Sequence, residues 1–197
     1  MSLDSTAPIH LIAREQGEPR VISNGVLGMV LFVMTEIMFF SGMISAFSIV
    51  RASSAIWPPP NQPRLPLEET AINTVALFLS GLLLFLAQRR FAADRDSAKT
   101  PLIAAIALGT FFVAFQGWEW VSMIAQGLTL TSSTLGSFFY LIVGTHALHA
   151  IVALGLLTQA WRRLSAGRLQ PSQLATTAVF WYFVVGAWPV VYWRVYL

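Results

Sequence analysis

Long apolar stretches alternate with short polar ones along the whole chain. A transmembrane helix needs about 20 mostly apolar residues, and five stretches fit this requirement, although the second is at its short end. The pattern therefore predicts an all-α integral membrane bundle of five transmembrane helices over residues 25–197, preceded by a polar tail, residues 1–24. The predicted spans are Val26–Val50, Thr70–Leu86, Pro101–Ile124, Leu135–Trp161 and Leu174–Tyr196.

The composition also places the chain in lipid. Of its 197 residues, 56% are hydrophobic and 11% are charged, with a mean hydropathy of +0.66, whereas soluble domains are about 25% charged. The chain has no cysteine, which excludes a disulfide framework and a thiolate metal site. A net charge of +3 would suggest nucleic acid in a soluble protein. Here membrane topology accounts for the cations, and no nucleic-acid partner is expected.

Basic residues are concentrated on one side of the predicted membrane. Cytoplasmic connections are enriched in lysine and arginine, so we expect a cytoplasmic N-terminus and an external C-terminus. In a bacterium this means the inner membrane, with the C-terminus in the periplasm. The predicted inner side carries Arg14, Arg20, Arg89, Arg90, Arg95, Lys99, Arg162, Arg163 and Arg168, whereas the outer side carries Arg51, Arg64 and Arg194.

An acidic residue, Glu36, lies in the middle of the first apolar stretch. An ionised carboxylate at that depth is costly. Helical spacing places Phe32, Phe39 and Phe40 beside it, and such a setting disfavours the charged form, so that a neutral Glu36 would both donate and accept hydrogen bonds. Three interpretations are open. We favour a structural hydrogen bond to a neighbouring helix over a contact with a lipid headgroup or partner subunit, and over a proton-carrying acid.

Glu119 and two histidines are further polar residues inside the spans. Glu119 shares a helix face with Gln116 and is flanked by tryptophans, so a snorkelling or interhelical contact is expected, with a functional site as the alternative. His146 and His149 share a face of the fourth helix, which suits half a metal site or a haem ligand. The spans contain no third histidine. We therefore predict no metal, and interhelical hydrogen bonds or lipid phosphate contacts instead.

The connection Ser53–Leu67 is rich in proline, which fixes φ and restrains the preceding residue. It is therefore predicted to be extended and non-helical, with Trp57 at the membrane interface. Small residues such as Gly42, Gly109 and Gly117 predict close packing of the helices, either within the chain or against another membrane protein.

Several motifs occur in a defined order along nearly all of the chain after Asn24. The run Gly28–Ala46 contains Gly-Met-Val-Leu-Phe, Thr-Glu and Met-Phe-Phe. The later motifs are Trp57-Pro58-Pro59, Leu67-Glu68, Ala71-Ile72-Asn73-Thr74, Leu108-Gly109-Thr110-Phe111-Phe112 with Gln116 and Glu119, Gly136-Ser137-Phe138-Phe139-Tyr140 with Gly144, His146 and His149, and Trp181-Tyr182-Phe183-Val184-Val185 to Trp188.

These motifs resemble subunit III of the haem–copper oxidases, the cytochrome c oxidase subunit 3 family. Their order and spacing are similar to those of the family. Typical members have seven helices, whereas this chain is similar to the short five-helix members. Tyr182 and Val185 also stand where the last helix of the family commonly has histidine and aspartate.

The resemblance implies a non-catalytic accessory subunit of a respiratory terminal oxidase, an oxidoreductase complex that reduces oxygen to water and pumps protons, with cytochrome c or quinol as electron donor. It implies that this chain holds no cofactor, that haem and copper lie in partner subunits I and II, and that the chain packs mainly against subunit I. Phospholipids bound in a cleft, and support of assembly, stability and proton uptake, are also implied. A larger respiratory supercomplex remains an open expectation.

The residues that the resemblance and the spans single out fall into two sets. Glu36 and Glu119 are candidates for buried acids in proton or lipid contacts. The candidates for lipid or interhelical polar contacts are His146, His149, Gln116, Asn73 and Trp57.

Two other functions remain as alternatives. One is the small membrane subunit associated with nitric oxide reductases. The other is a stand-alone proton-coupled transporter that uses Glu36 and the histidines. Transporters commonly have repeated halves and interrupted helices, and the sequence shows neither. Purification in mild detergent separates the classes, because an oxidase subunit should bring haem-containing partners with it.

The predicted topology can be tested with reporter fusions. Fusions at Asn61 and at Asp94 should report opposite sides of the membrane, because one predicted span lies between them. If both sites reported the same side, the second span would not cross and the count of five would be wrong.

Overall fold

The computed structural model describes residues 23–57 and 65–197, and these residues contain five long helices. The predicted tail up to residue 22 and the centre of the proline-rich connection lie outside the described residues. A 3₁₀ turn, Asp96–Ala98, precedes the third helix, and a π-helical turn, Tyr192–Tyr196, follows the fifth. The helices are α1 (Asn24–Ser53), α2 (Leu67–Ala93), α3 (Lys99–Ala125), α4 (Thr134–Ser165) and α5 (Pro171–Val191).

All five helices are long and apolar enough to cross a membrane, which confirms the predicted all-α fold class and the five spans. The second predicted span is shorter than the helix that contains it. Helix α2 has 27 residues because it continues into polar sequence at both ends, and it therefore reaches as far as its neighbours.

Local sequence explains where several helices begin and end. The hydroxyl of Ser133 accepts the Gly136 N–H at 3.0 Å and caps the start of α4. At the end of α3, Gly127 has a φ of 93°, which suits glycine. Its N–H donates to the Ile124 carbonyl, and the next N–H donates to Met123, both at 3.0 Å. This is the usual glycine-dependent helix ending.

The bundle has two chemically different ends. The α2–α3 and α4–α5 connections lie at what we call the Arg-rich end, because most of the described basic residues are there. The end of α1, the start of α2, the α3–α4 connection and the C-terminal turn lie at the opposite, Arg-poor end. Its described basic residues are Arg51 and Arg194.

Helix α5 occupies the centre of the bundle. It packs against α1, α2 and α4, and its Trp181 and Trp188 are fully buried. The Trp181 indole N–H donates to Ser80 on α2 at 3.1 Å, and that serine donates to the Ala105 carbonyl on α3 at 2.8 Å. A chain of hydrogen bonds therefore joins α5, α2 and α3 where no water is available to satisfy the same groups.

Helix α1 lies at the periphery and packs against α5 and α4. Two of its side chains, Phe40 and Phe47, are buried, whereas ten side chains of α5 are buried. At Gly42, predicted to serve a close-packed face, no other described residue lies within 4 Å of the place where a Cβ would be. Gly42 therefore faces outward from the described bundle, where lipid or another subunit can reach it.

Gly109 on α3 fulfils the predicted role of a close-packing glycine. An added Cβ would lie 2.6 Å from the Trp181 ring and 2.8 Å from the Leu154 side chain. The ring cannot move aside easily because Trp181 is fully buried and its N–H is bonded to Ser80.

Replacing Gly109 should therefore damage the fold more than replacing Gly117 on the same helix. Gly109→Ala overpacks the α3–α5 contact, at a cost of about 1–3 kcal/mol. Among the described residues, none lies within 4 Å of a Cβ added at Gly117, so Gly117→Ala should be neutral. Thermal unfolding of each purified variant in detergent measures the difference. Equal unfolding temperatures for the two variants would contradict the packing argument.

Candidate functional site

The acid at the centre of α1 faces a histidine of α4. Glu36 Oε2 lies 3.0 Å from His149 Nε2, and the side chains are 17% and 13% exposed, respectively. The other ring nitrogen, Nδ1, lies 2.7 Å from the Thr145 carbonyl oxygen, one turn earlier on α4. The imidazole thus bridges its own helix and α1.

The geometry of the histidine determines how many protons the pair holds. A carbonyl oxygen only accepts hydrogen bonds, so Nδ1 must carry a proton toward Thr145. A neutral His149 then has a bare lone pair at Nε2, and Glu36 must be protonated to donate to it. Alternatively, Nε2 is protonated as well and donates to an ionised Glu36. In both arrangements one proton lies between the two groups, and the pair has no net charge.

Aromatic rings surround this pair. The rings of Phe40, Phe180 and Phe183 lie 5.5–6.0 Å from the His149 ring, in edge-to-face arrangements. Phe32, one turn before the acid, makes a similar contact with Phe180. These rings keep water from most of the pair, and a low local dielectric strengthens its hydrogen bond.

A second polar cluster lies toward the Arg-poor end, around the buried Glu119. Gln116 Nε2 donates to Glu119 Oε2 at 2.7 Å and to the Tyr196 hydroxyl at 3.0 Å. Thr70 Oγ1 lies 3.0 and 3.1 Å from the two carboxyl oxygens. This cluster joins α2, α3 and the C-terminal turn, so Glu119 makes an interhelical contact and does not snorkel to the surface.

The threonine in this cluster also lies 2.6 Å from the Pro66 carbonyl oxygen. The Thr70 hydroxyl has one hydrogen, and the Pro66 oxygen can only accept. If the hydroxyl donates to Pro66, a hydrogen bond with the carboxyl requires Glu119 to donate, and hence to be protonated. The contacts of Thr70 are all satisfied when Glu119 is neutral.

The other predicted polar residues have different surroundings. Asn73 is buried and donates from Nδ2 to the Phe112 carbonyl at 3.1 Å, linking α2 to α3. His146 is also buried and packs against Trp188, with ring centroids 5.0 Å apart. Neither of its ring nitrogens has a hydrogen-bond partner within the described part of the chain. Trp57 makes an edge-to-face contact with Phe47 of α1.

The structure therefore brings the predicted residues together in two separate groups. Glu36 and His149 form one, and Gln116 with Glu119 forms the other. Sequence reasoning missed Thr70 and Tyr196, the partners of Glu119. No pattern identifies them, because one lies at the start of a span and the other in the last turn. Across residues 23–57 and 65–197, no three or more histidine, aspartate or glutamate side chains are grouped to hold a metal ion.

Comparison with known proteins agrees with these features. The family described as "Cytochrome c oxidase subunit III" matches residues 14–197. A relative from Nocardia farcinica, "Probable cytochrome c oxidase subunit 3", is 29% identical over 191 residues, covering 93% of this chain and 89% of its own length.

Two further similar proteins are both named "Cytochrome c oxidase subunit 3". The protein from Strongylocentrotus purpuratus is 32% identical over 197 residues, covering 93% of this chain and 74% of the relative. The protein from Synechocystis is 30% identical over 181 residues, covering 87% and 75%. The likeness extends over all five helices, and the chain belongs to the cytochrome c oxidase subunit III family.

Proposed function

We propose that this chain is the cofactor-free accessory subunit III of a respiratory haem–copper oxidase, supporting the assembly, stability and proton uptake of subunit I. The observation that carries the proposal is the family match over residues 14–197. Membership of that family implies association with the other oxidase subunits in a membrane. Haem and copper belong, in this proposal, to subunits I and II, and electrons do not pass through this chain.

The buried acids support a role next to the redox chemistry. Glu36 is held by His149 through a single shared proton, and Glu119 is held by Gln116 and Thr70. Such groups hold neighbouring helices together and keep protons bound inside the bundle. The outward-facing apolar surface of α1 supports packing against subunit I and bound phospholipid, because a surface of this kind needs lipid or another helix as its neighbour.

The proposed location is a bacterial inner membrane with the N-terminus in the cytoplasm. The distribution of basic residues supports this orientation, since the Arg-rich end carries both connections expected in the cytoplasm. The membrane-spanning helices and the bacterial relatives support the compartment.

An optical spectrum tests the cofactor assignment. The chain separated from its complex should show no Soret band and no d–d absorption, because the spans supply two histidines and no cysteine as ligands for redox metals. The intact complex, measured in parallel, should show haem. Stoichiometric haem or copper in the separated chain would contradict the assignment.

Substitutions of Glu36 test its role in the complex. In Glu36→Gln, the amide N–H can donate to the bare Nε2 of a neutral His149, so the contact remains without a titratable proton. We expect the complex to assemble and to reduce oxygen with at most a modest loss of initial rate. Glu36→Ala leaves His149 unsatisfied, at a cost of about 1–3 kcal/mol, and should lower the yield of assembled complex.

Glu68→Gln is the matched control, because it removes a carboxylate from an exposed position at the start of α2. It should leave both assembly and oxygen consumption unchanged. If Glu36→Gln abolished turnover in a fully assembled complex, Glu36 would be an obligate proton carrier and its supporting role would be disproved.

A further inference from the structure

Glu119 lines a cavity at the Arg-poor end of the bundle. The cavity lies between the start of α2 and the end of α3 and has a volume of about 410 Å³, far more than the roughly 10–15 Å³ that one water molecule needs. Phe115 and the buried Met123 line it beside the acid. Glu119 is itself only 3% exposed, so the cavity provides a route by which water can reach an otherwise enclosed carboxyl.

The rim of this cavity is polar. Glu69, Ser122 and Gln126 line it, and all three are exposed. Glu69 belongs to the first turn of α2, and Gln126 caps the end of α3. Both positions are helix ends, where the chain leaves the hydrocarbon layer. The cavity therefore leads from the aqueous boundary at the Arg-poor end to Glu119.

The contacts of the carboxyl place its proton on one oxygen. Gln116 Nε2 donates to Oε2 at 2.7 Å, so Oε2 is an acceptor. Thr70 Oγ1 lies 3.0 Å from Oε1, while its own hydrogen is used in the 2.6 Å contact with the Pro66 carbonyl oxygen. In this arrangement Oε1 carries the proton and donates it to Thr70. The neutral acid is thus fully paired.

The same residues can also pair the ionised acid. Rotation about the Cβ–Oγ bond of Thr70 turns its hydrogen from the Pro66 oxygen to Oε1 of Glu119, and no heavy atom has to move. The Pro66 oxygen keeps a second donor, because it accepts the main-chain N–H of Thr70 at 3.2 Å. Both protonation states therefore leave each of these groups with a hydrogen-bond partner, which removes the usual penalty for changing the charge of a buried acid.

Other titratable groups surround Glu119 on the neighbouring elements. Helix α2 contributes Glu69 at the cavity rim, and the C-terminal turn contributes the Tyr196 hydroxyl to the same cluster. On α4, Tyr140 and His146 contact tryptophan rings. Among the described residues, no lysine or arginine nitrogen lies within 4.0 Å of the carboxyl, so hydrogen bonds and not an ion pair support its ionised form. The other charged side chains described at the Arg-poor end do not line this cavity, and they are Glu68, Arg51 and Arg194.

We propose that Glu119 is a proton-exchange site open to the aqueous phase at the Arg-poor end, with the cavity as its route and Thr70 as the residue that accommodates both protonation states. In the exchange, the O–H bond at Oε1 breaks and its electron pair stays on the carboxylate. The proton passes to a water molecule in the cavity, and the resulting hydronium ion leaves through the rim. Thr70 then donates to the carboxylate, and the reverse steps restore the neutral acid.

This site goes beyond the accessory function proposed above and depends on it only for the complex in which it is tested. A structural contact alone would need neither a water route nor a donor that can turn between two acceptors. Glu119 has both, whereas aromatic rings enclose the pair of Glu36 and His149. Thr70 acts as a positioning residue, because it adjusts to the acid without taking its proton.

Infrared spectroscopy of the intact oxidase complex in mild detergent tests the proton. The spectra of the parent and of Glu119→Gln should differ by the C=O stretching band of a protonated carboxyl. The glutamine amide can donate to Thr70 and accept from Gln116, so the fold should be kept. The control, Glu36→Gln, should retain this band. Absence of such a band in the parent would disprove the neutral acid on which the proposal rests.

Hydrogen–deuterium exchange tests the route. In heavy water the Glu119 band of the parent should shift promptly, as O–D replaces O–H. Ser122→Phe fills the cavity from its rim and should slow this shift severalfold. The matched control is Ala125→Phe, an exposed position on α3 that does not line the cavity. Equal exchange rates in the two phenylalanine variants would show that the cavity is not the route.

Substitutions of Thr70 test its positioning role. Thr70→Val removes the hydroxyl at nearly constant shape, so the carboxyl loses its acceptor and its band should move in frequency. Thr70→Ser restores a hydroxyl and should return the band to the parent frequency. A band at the same frequency in all three complexes would mean that Thr70 does not contact the proton.

The side of the exchange is tested in sealed vesicles. A maleimide that cannot cross the membrane labels Ser165→Cys, an exposed position in the last turn of α4, when the Arg-rich end faces outward. An alkaline step in an impermeant buffer should weaken the Glu119 band when applied at the Arg-poor end and leave it unchanged at the Arg-rich end. A response at the Arg-rich end, or at neither end, would overturn the proposal. The haem content of the same preparation tests the accessory function separately, because a haem-free parent complex would contradict that function alone.

Discussion

The absence of water inside the membrane is the constraint on which this bundle depends. A polar side chain placed in a span can be satisfied only by partners in the protein, since lipid supplies none. Several of the described polar contacts accordingly join different helices. Glu36 reaches His149 on α4, Thr70 reaches Glu119 on α3, and Ser80 connects α2 to both α3 and α5. These contacts determine which faces of the helices pack together. Apolar packing alone does little to specify those faces.

Helix α1 illustrates the consequence of this constraint. It is the least buried helix, and apolar contacts attach it to α4 and α5 along a narrow strip. The polar contacts that supplement that strip include one from Glu36 to His149 near the centre and one from Arg51 to Leu197 at the Arg-poor end. The Glu36–His149 contact therefore helps to hold α1 against α4. A substitution that removes the contact weakens this attachment.

Sequence alone predicted the five spans but made no prediction about the arrangement of the helices. Length and hydropathy identified all five helices because the thickness of a bilayer sets both. They could not show that α5 is central, since α1 is more apolar than α5 and yet far less buried. In a water-soluble protein, the more apolar of two helices would be expected to be the more buried one. In lipid, exposure of apolar surface costs nothing, so a helix that is apolar all round carries no signal of which face is inside.

The same limit applies to the candidate site. Helical spacing correctly placed Gln116 next to Glu119, because i and i+3 are neighbours on any helix. It could not pair Glu36 with His149, since the two are 113 residues apart and their contact depends on how α1 and α4 rotate. Thr70 and Tyr196 were missed for the same reason. Partners across helices follow from packing, which local periodicity does not encode.

The two buried acids differ in what their partners can do. Glu119 is surrounded by a hydroxyl and an amide, which keep their own protons near neutral pH, so the cluster can change its charge only if the acid itself gains or loses a proton. Glu36 faces an imidazole that can hold the shared proton in its place. A proton can therefore move from the carboxyl to the ring while the hydrogen bond and the zero net charge are both kept. Of the two acids, only Glu36 has both a structural contact and a partner that can take its proton. The Thr145 carbonyl makes this possible, because it holds one ring proton on Nδ1 and leaves Nε2 facing Glu36.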